Sequence, residues 1–235
     1  MNGDKTRLLI VCRPPLSQYK QDIYLLEEPK NVVPSNQISI LGWYLNERIS
    51  YDTTVNRNIA IVQNKMNKLK EFQECVSEDK LVIIAKSHLF TQLNYGLPLI
   101  IGQNECVINA YHRCYMRIVR WSKKSFCFQQ SVSSICKSIS VDSPRDAIHK
   151  NTAKFARNVI FNRRPKQILK HFRLPRTRNT AKIGKHFTIN TKYAKKSILN
   201  HSVDAYNALP DQLKIQDTKE FNKMLKKLKL MFKPD

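Results

Sequence analysis

Apolar residues run along this chain with two different periods, and the change falls near residue 52. Before it they stand in short runs, Leu8 to Cys12 and Ile38 to Leu45, the second rich in β-branched and aromatic residues. Both runs predict strands, because brief apolar stretches bounded by turn formers suit a pleated surface better than a helix. Pro14 and Pro15 stop the first, since neither can donate to a ladder. The polar stretch holding Glu27, Glu28, Pro29 and Pro34 predicts a loop between the two strands.

From Thr53 onward the apolar positions recur at steps of three and four. Val55, Ile59, Val62, Met66, Leu69 and Phe72 make one stripe opposite Arg57, Asn64, Lys65 and Lys68, with Thr53 or Thr54 as the cap. Ser77-Glu78-Asp79 sets acid at the positive end of a second helix, whose apolar body from Leu81 to Leu93 closes at Gly96-x-Pro98. Asn104 caps a third, with Val107, Ala110, Tyr111, Cys114, Ile118 and Trp121 on one face. Three helices in succession predict a bundle. Arg145 to Phe161 predicts another helix, and a proline-punctuated basic stretch follows around Pro165 and Pro175, with a short strand at Phe187 to Ile189. Leu199, Val203, Tyr206 and Leu209 are helix-spaced before Pro210. Asp217-Thr218-Lys219-Glu220 has the layout of a capping box, opening a lysine-rich helix striped by Phe221, Leu225, Leu228 and Met231. The expected class is α+β and mostly helical: a short N-terminal strand pair over 1–52, a helical bundle over 53–125 and a basic helical region over 126–235.

With 42% hydrophobic residues in 235, the chain can build a core, which excludes wholesale disorder. Five glycines exclude Gly-rich loops and turn-dense β architectures. The longest apolar runs are five residues, against the roughly 20 that cross a bilayer, so no membrane partner is expected. Met1 to Lys5 carries no apolar leader, so the expected location is intracellular, cytoplasmic or nuclear, with the six scattered cysteines reduced. The net charge of +23 points to a polyanionic partner. Its distribution sharpens the point: residues 147–203 carry 15 basic side chains and no acid, against 19 basic and 13 acidic over 1–146.

No local motif completes an active site. The Asp-Asp or Asp-x-Asp pairs of two-metal chemistry, a phosphate-binding Gly-rich loop and a nucleophile elbow are all missing from the sequence, and the adjacent acids Glu27-Glu28 and Glu78-Asp79 read as a solvated loop and a helix start. Cys106, His112 and Cys114 lack the close pairing that zinc requires, and His112 and Cys114 project about 200° apart on a helix, so no catalytic or metal residue is assigned. The remaining signal is basic residues among aromatics: Arg157, Arg163, Arg164, Lys166, Lys170, Arg173, Arg176 and Arg178, with Phe155, Phe161 and Phe172 between them. They suit phosphate contacts with bases stacked on rings, and they equally suit a solvated cationic face over core phenylalanines. A 57-residue stretch without an acid favours the first, since natural surfaces mix both signs.

The order of segments resembles the C-terminal portion of reverse transcriptases of non-LTR (LINE-like) retrotransposons. Asn2-Gly3-Asp4-Lys5-Thr6 before the Leu8 strand looks like the Asn-x-x-Lys-Thr motif of the palm, and Ile40 to Leu45 with Ile49-Ser50 like the primer-grip strand-turn. The helices that follow, with Tyr95-Gly96 closing the second, resemble the thumb. Ser197, Tyr206-Asn207-Ala208-Leu209-Pro210, Phe221 and Leu225 resemble the tail of such elements, although Tyr206 to Pro210 reads more simply as a helix end with an anchoring aromatic. The resemblance implies a palm remnant over 1–52, a thumb-like bundle and a basic extension. It places Lys5 near nucleotide phosphates and Leu41, Gly42 and Trp43 under the primer terminus; a surface lysine and a core tryptophan are the plainer readings. The family's metal-binding acids lie upstream of the first matched motif, so Mg²⁺ is implied only for the complete enzyme and none is expected to bind here. The expectation is a fragment that binds template-primer or RNA without polymerising. The alternatives are a non-catalytic basic interaction module from a degenerate mobile element and, more remotely, a metal hydrolase. The sequence leaves the oligomeric state open.

Overall fold

The computed structural model describes residues 23–25, 28–32, 35–46, 50–124, 130–174, 182–185, 197–215 and 217–228. The Leu8 strand, the Phe187 strand, Lys5, Arg176 and Arg178 lie outside them. The described chain is mostly helical, with short antiparallel strand pairs.

Where a loop was expected, β1 (Ile23–Leu25) pairs with β2 (Glu28–Val32). Pro29 disguised this hairpin. The register jumps from Tyr24 opposite Asn31 to Leu25 opposite Glu28, so Pro29 falls in the irregularity, where its missing N–H costs no ladder bond. The single strand expected from Ile38 to Leu45 is likewise a hairpin, β3 (Gln37–Ile40) and β4 (Trp43–Asn46), with Ile40 opposite Trp43. Its two-residue turn is Leu41-Gly42, at φ 51° and 82°. Positive φ at both central positions matches the twist of the flanking strands, and only one of the two residues is a glycine.

Helix α1 (Asp52–Lys68) starts before its expected cap. Thr54 lies inside it, buried, and its hydroxyl accepts the Tyr44 N–H at 2.7 Å and donates to the Tyr44 carbonyl at 3.2 Å, fastening β4 to the helix. Thr54→Val keeps the shape and leaves a Tyr44 amide unpaired, so it is expected to lower stability by about 1–3 kcal/mol with an unchanged urea m-value. Val55, Val62 and Met66 are buried as their spacing predicts. The helix breaks at Leu69, and α2 (Lys70–Cys75) leaves the stripe, so Phe72 is 57% exposed rather than in the core. After α3 (Glu78–Ile84) the helix widens into a π turn over Ala85–Leu89, where the Phe90 N–H reaches the Ala85 carbonyl. It narrows again in α4 (Phe90–Leu93). The extra residue sets Ala85, Leu89, Phe90 and Leu93 all on the buried side. Gly96 at φ 68° ends the element, and a 3₁₀ turn, Leu97–Ile100, leads towards α5 (Glu105–Ser122).

Helix α5 is the centre of the first core. Tyr111 donates to Asn94 and Tyr115 to the Asp142 carbonyl, each at 2.8 Å, and burial pushes the Tyr111 hydroxyl well above its ordinary pKa. Two short additions were not legible: α6 (Val132–Ser138), capped by Ser131, and α8 (Lys166–Leu169). Between them α7 (Pro144–Asn162) has Pro144 in its first turn and Ser143 accepting from the Asp146 N–H. Its Ala147 and Ile148 pack in the first cluster, while Ala153, Ala156 and Val159 pack in a second. The apolar clusters therefore part inside α7, and α6 with the start of α7 joins the first although both follow residue 125.

The second core is closed by β5 (Phe172–Arg173) paired with β6 (Gly184–Lys185), and by α9 (Ile198–Asn207), α10 (Asp211–Ile215) and α11 (Thr218–Lys227). Asp217 caps α11 by accepting from the Lys219 and Glu220 amides, as the capping-box layout predicts. Tyr206 and Leu209 are buried, and the Asn207 side chain clamps Ile183 through two bonds of 2.9 Å, donating to its carbonyl and accepting from its N–H. In the described structure the Tyr206 to Pro210 segment anchors one element on another.

Candidate nucleic-acid interface

The hairpin tip overhangs a cleft of about 500 Å³ between α1 and the π turn with α4. One wall carries Arg57, Ile61 and Lys65 of α1, at helical spacing. The other carries Ser87, His88, Thr91 and Tyr95. At the floor Gln92 donates to the buried Asn58 Oδ1 at 3.2 Å, and Leu41 with Gly42 forms the overhang. Among the described residues no carboxylate lines this cleft. The reason is written in the chain: neither 53–70 nor 80–104 contains an acid, and these two segments supply the walls. Arg57 is held in place, donating to the Tyr44 hydroxyl at 2.6 Å with its guanidinium 5.0 Å from that ring's centre.

The overhang is fixed by aromatic packing. Trp43 lies edge-on to Tyr51 at 5.5 Å and against Tyr95 at 5.7 Å, while the Tyr95 hydroxyl donates to the Leu41 carbonyl at 2.8 Å. The Trp43 ring covers Gly96 so closely that a Cβ there would lie 1.5 Å from its Cζ2. Trp43 is thus half-buried and packs on the helical side, and Leu41 is 86% exposed at the tip. A leucine in the left-handed region with its side chain in water is doubly unfavourable, and such strain is characteristic of contact sites.

The second basic surface is the shoulder where α7 gives way to α8 and β5. Arg163 ends α7 at φ 51°, and Arg163, Arg164, Lys166, Lys170 and Arg173 are all exposed. Ile168 and Leu169 pack against the second core and Phe172 is buried within it, so apolar residues turn inward and the cations outward. Arg157 is the exception to the expected set. It is 1% exposed, donates to the Thr218 hydroxyl at 2.9 Å, and its guanidinium sits 4.0 Å from the Phe161 ring centre and 4.7 Å from that of Phe221. Arg157 therefore joins α7 to α11 and is withdrawn from any phosphate contact; burial lowers its pKa. Of the three phenylalanines expected among the cations, Phe172 is core, Phe155 packs against the core, and only Phe161 is exposed.

Among the described residues no three His, Cys, Asp or Glu side chains stand close enough to hold a metal ion. Burial pushes the Cys114 thiol up to about 11, which disfavours the nucleophilic thiolate. Among the described residues no helix is long and apolar enough to cross a membrane. Arg57, Lys65 and His88 were not singled out as site residues from sequence, because the modest net charge of the first 146 residues conceals the two acid-free stretches. Comparison of the chain with family models, with curated proteins and with solved structures finds no match.

Proposed function

We propose that this chain is the C-terminal part of a reverse transcriptase like those of non-LTR retrotransposons, and that it grips template-primer or RNA without polymerising. In this reading the β3–β4 hairpin is the end of the palm, α1 to α5 the thumb, and the remainder a basic extension. One observation carries it. Leu41-Gly42-Trp43 and Tyr95-Gly96, separated by some fifty residues and each resembling a family motif, pack on each other over a cleft that has Arg57 and Lys65 on one wall and, among the described residues, no carboxylate in its lining. A primer-holding turn seated on a thumb helix calls for this contact. The exposed shoulder from Arg163 to Arg173 supplies phosphate contacts that need no base identity. The role proposed for the residues present is binding; no aromatic-x-Asp-Asp run like the family's occurs in this sequence.

The test is a salt titration of an RNA/DNA duplex against the full chain. Log K is expected to fall against log salt by roughly 0.7–0.9 per phosphate contact. Arg164→Glu with Lys166→Glu should reduce both the affinity and the slope, and primer extension with Mg²⁺ should give no product. Equal binding of an acidic polypeptide would favour a basic protein-interaction module instead, and nucleotide incorporation would overturn the binding-only role.

A further inference from the structure

At the far end of α1 a second concavity, of about 460 Å³, is lined by Lys65, Lys68, Leu69, Phe72, Ile84 and His88. It shares Lys65 and His88 with the cleft under the hairpin tip, so the two are successive stations along one surface. Their chemistry differs. The first mixes polar with apolar surface, whereas the second is mostly apolar, with a base of Leu69 and Ile84 and the Phe72 ring 57% exposed beside it. Again no carboxylate among the described residues lines it; Glu71, the nearest acid in sequence, is exposed and is not among the lining residues. The break at Leu69 is what turns Phe72 out of the core stripe and sets it there.

We propose that this slot receives one unpaired nucleobase of the bound strand, stacked on Phe72, with the flanking phosphates on Lys65 and Lys68. The inference rests on the nucleic-acid reading above and deepens it: duplex contacts need cations alone, whereas an exposed ring beside two lysines suits a base lifted from the helix. Every base has an apolar face, so the site is indifferent to sequence and selects single-stranded over fully paired nucleic acid. His88, shared by both concavities, stands where the strand passes from the first to the second.

The experiment measures binding of the full chain to a single strand of about 12 nucleotides, within the span such sites cover, and to the same strand made abasic. Phe72→Ala is expected to weaken the intact strand roughly 5- to 100-fold and to leave the abasic strand unchanged. Phe72→Trp should preserve the affinity that Phe72→Leu loses. Because Phe72 is exposed, an unaltered circular dichroism spectrum should accompany each variant. Equal loss on both strands, or none on either, would overturn the stacking site while leaving the nucleic-acid reading intact. Failure of the unsubstituted chain to bind either strand at low salt would overturn that reading and the slot with it. Should Phe72→Ala instead abolish binding of a helical peptide of Glu and Leu, the slot belongs to an acidic protein segment and the proposal fails.

Discussion

Replacing Gly96 with alanine is expected to lower the stability of the fold by about 2–5 kcal/mol, combining left-handed strain with overpacking. At φ 68° any side chain is disfavoured, and the new Cβ would meet Trp43 Cζ2 at 1.5 Å and Cε2 at 2.3 Å. The obstacle is not a flexible chain end. Tyr51 and Tyr95 flank the indole, so it escapes only by leaving its seat. Urea denaturation followed by near-ultraviolet circular dichroism reports both the loss and the displaced tryptophan. Trp43→Leu in the same chain should recover the steric part and not the backbone part. The coupling between the two substitutions should therefore exceed the few tenths of a kcal/mol expected of independent sites. A Gly96→Ala protein as stable as the original would show that the hairpin does not rest on this helix.

Arg157→Ala is the second large effect, about 2–5 kcal/mol, in the range found when a large buried side chain is truncated and leaves a cavity. The substitution deletes the bond to Thr218, the stacking against Phe161 and Phe221, and the stem that fills the space between α7 and α11. Arg157→Met separates these contributions. It restores volume without requiring a guanidinium to leave water, so its cost should be below about 1.5 kcal/mol. Neither variant should alter the slope of log K against log salt at temperatures where it is folded. A lowered slope for Arg157→Met would return this residue to the phosphate-binding set. The same comparison separates a structural arginine from the exposed ones six and more residues further on.

Much of the helical architecture is legible in the sequence because it depends on local periodicity. Helices α1, α5, α7, α9 and α11 each carry an apolar stripe, and Asp217 caps α11 as its sequence layout predicts, whereas the caps at Ser143 and Ser197 show only in the structure. What escaped depends on partners distant in sequence or on residues used against type. The β3–β4 turn is hidden from periodicity, though the family resemblance suggests it, because Leu41, an apolar residue inside an apolar run, adopts positive φ. Helix α6 is short and serine-rich, so it lacks the repeats that make a stripe visible. Arg157 was assigned to the surface because charge normally lies there. The rings that cover it are Phe161, one turn along the same helix, and Phe221, sixty-four positions away. The cleft was beyond reach for a similar reason: its walls are complementary only once α1 lies beside the π turn, and periodicity does not announce a π turn.

One consequence follows from α7 contributing residues to both apolar clusters. A rod embedded at each end in a different core transmits the loosening of either to the other, because fraying its first turns uncovers Ala147 and fraying its last uncovers Val159. The halves of this molecule therefore lack the independence of beads on a string. They are expected to melt in a single transition, with the amides midway along that rod the last to exchange their hydrogens in a native-state exchange measurement.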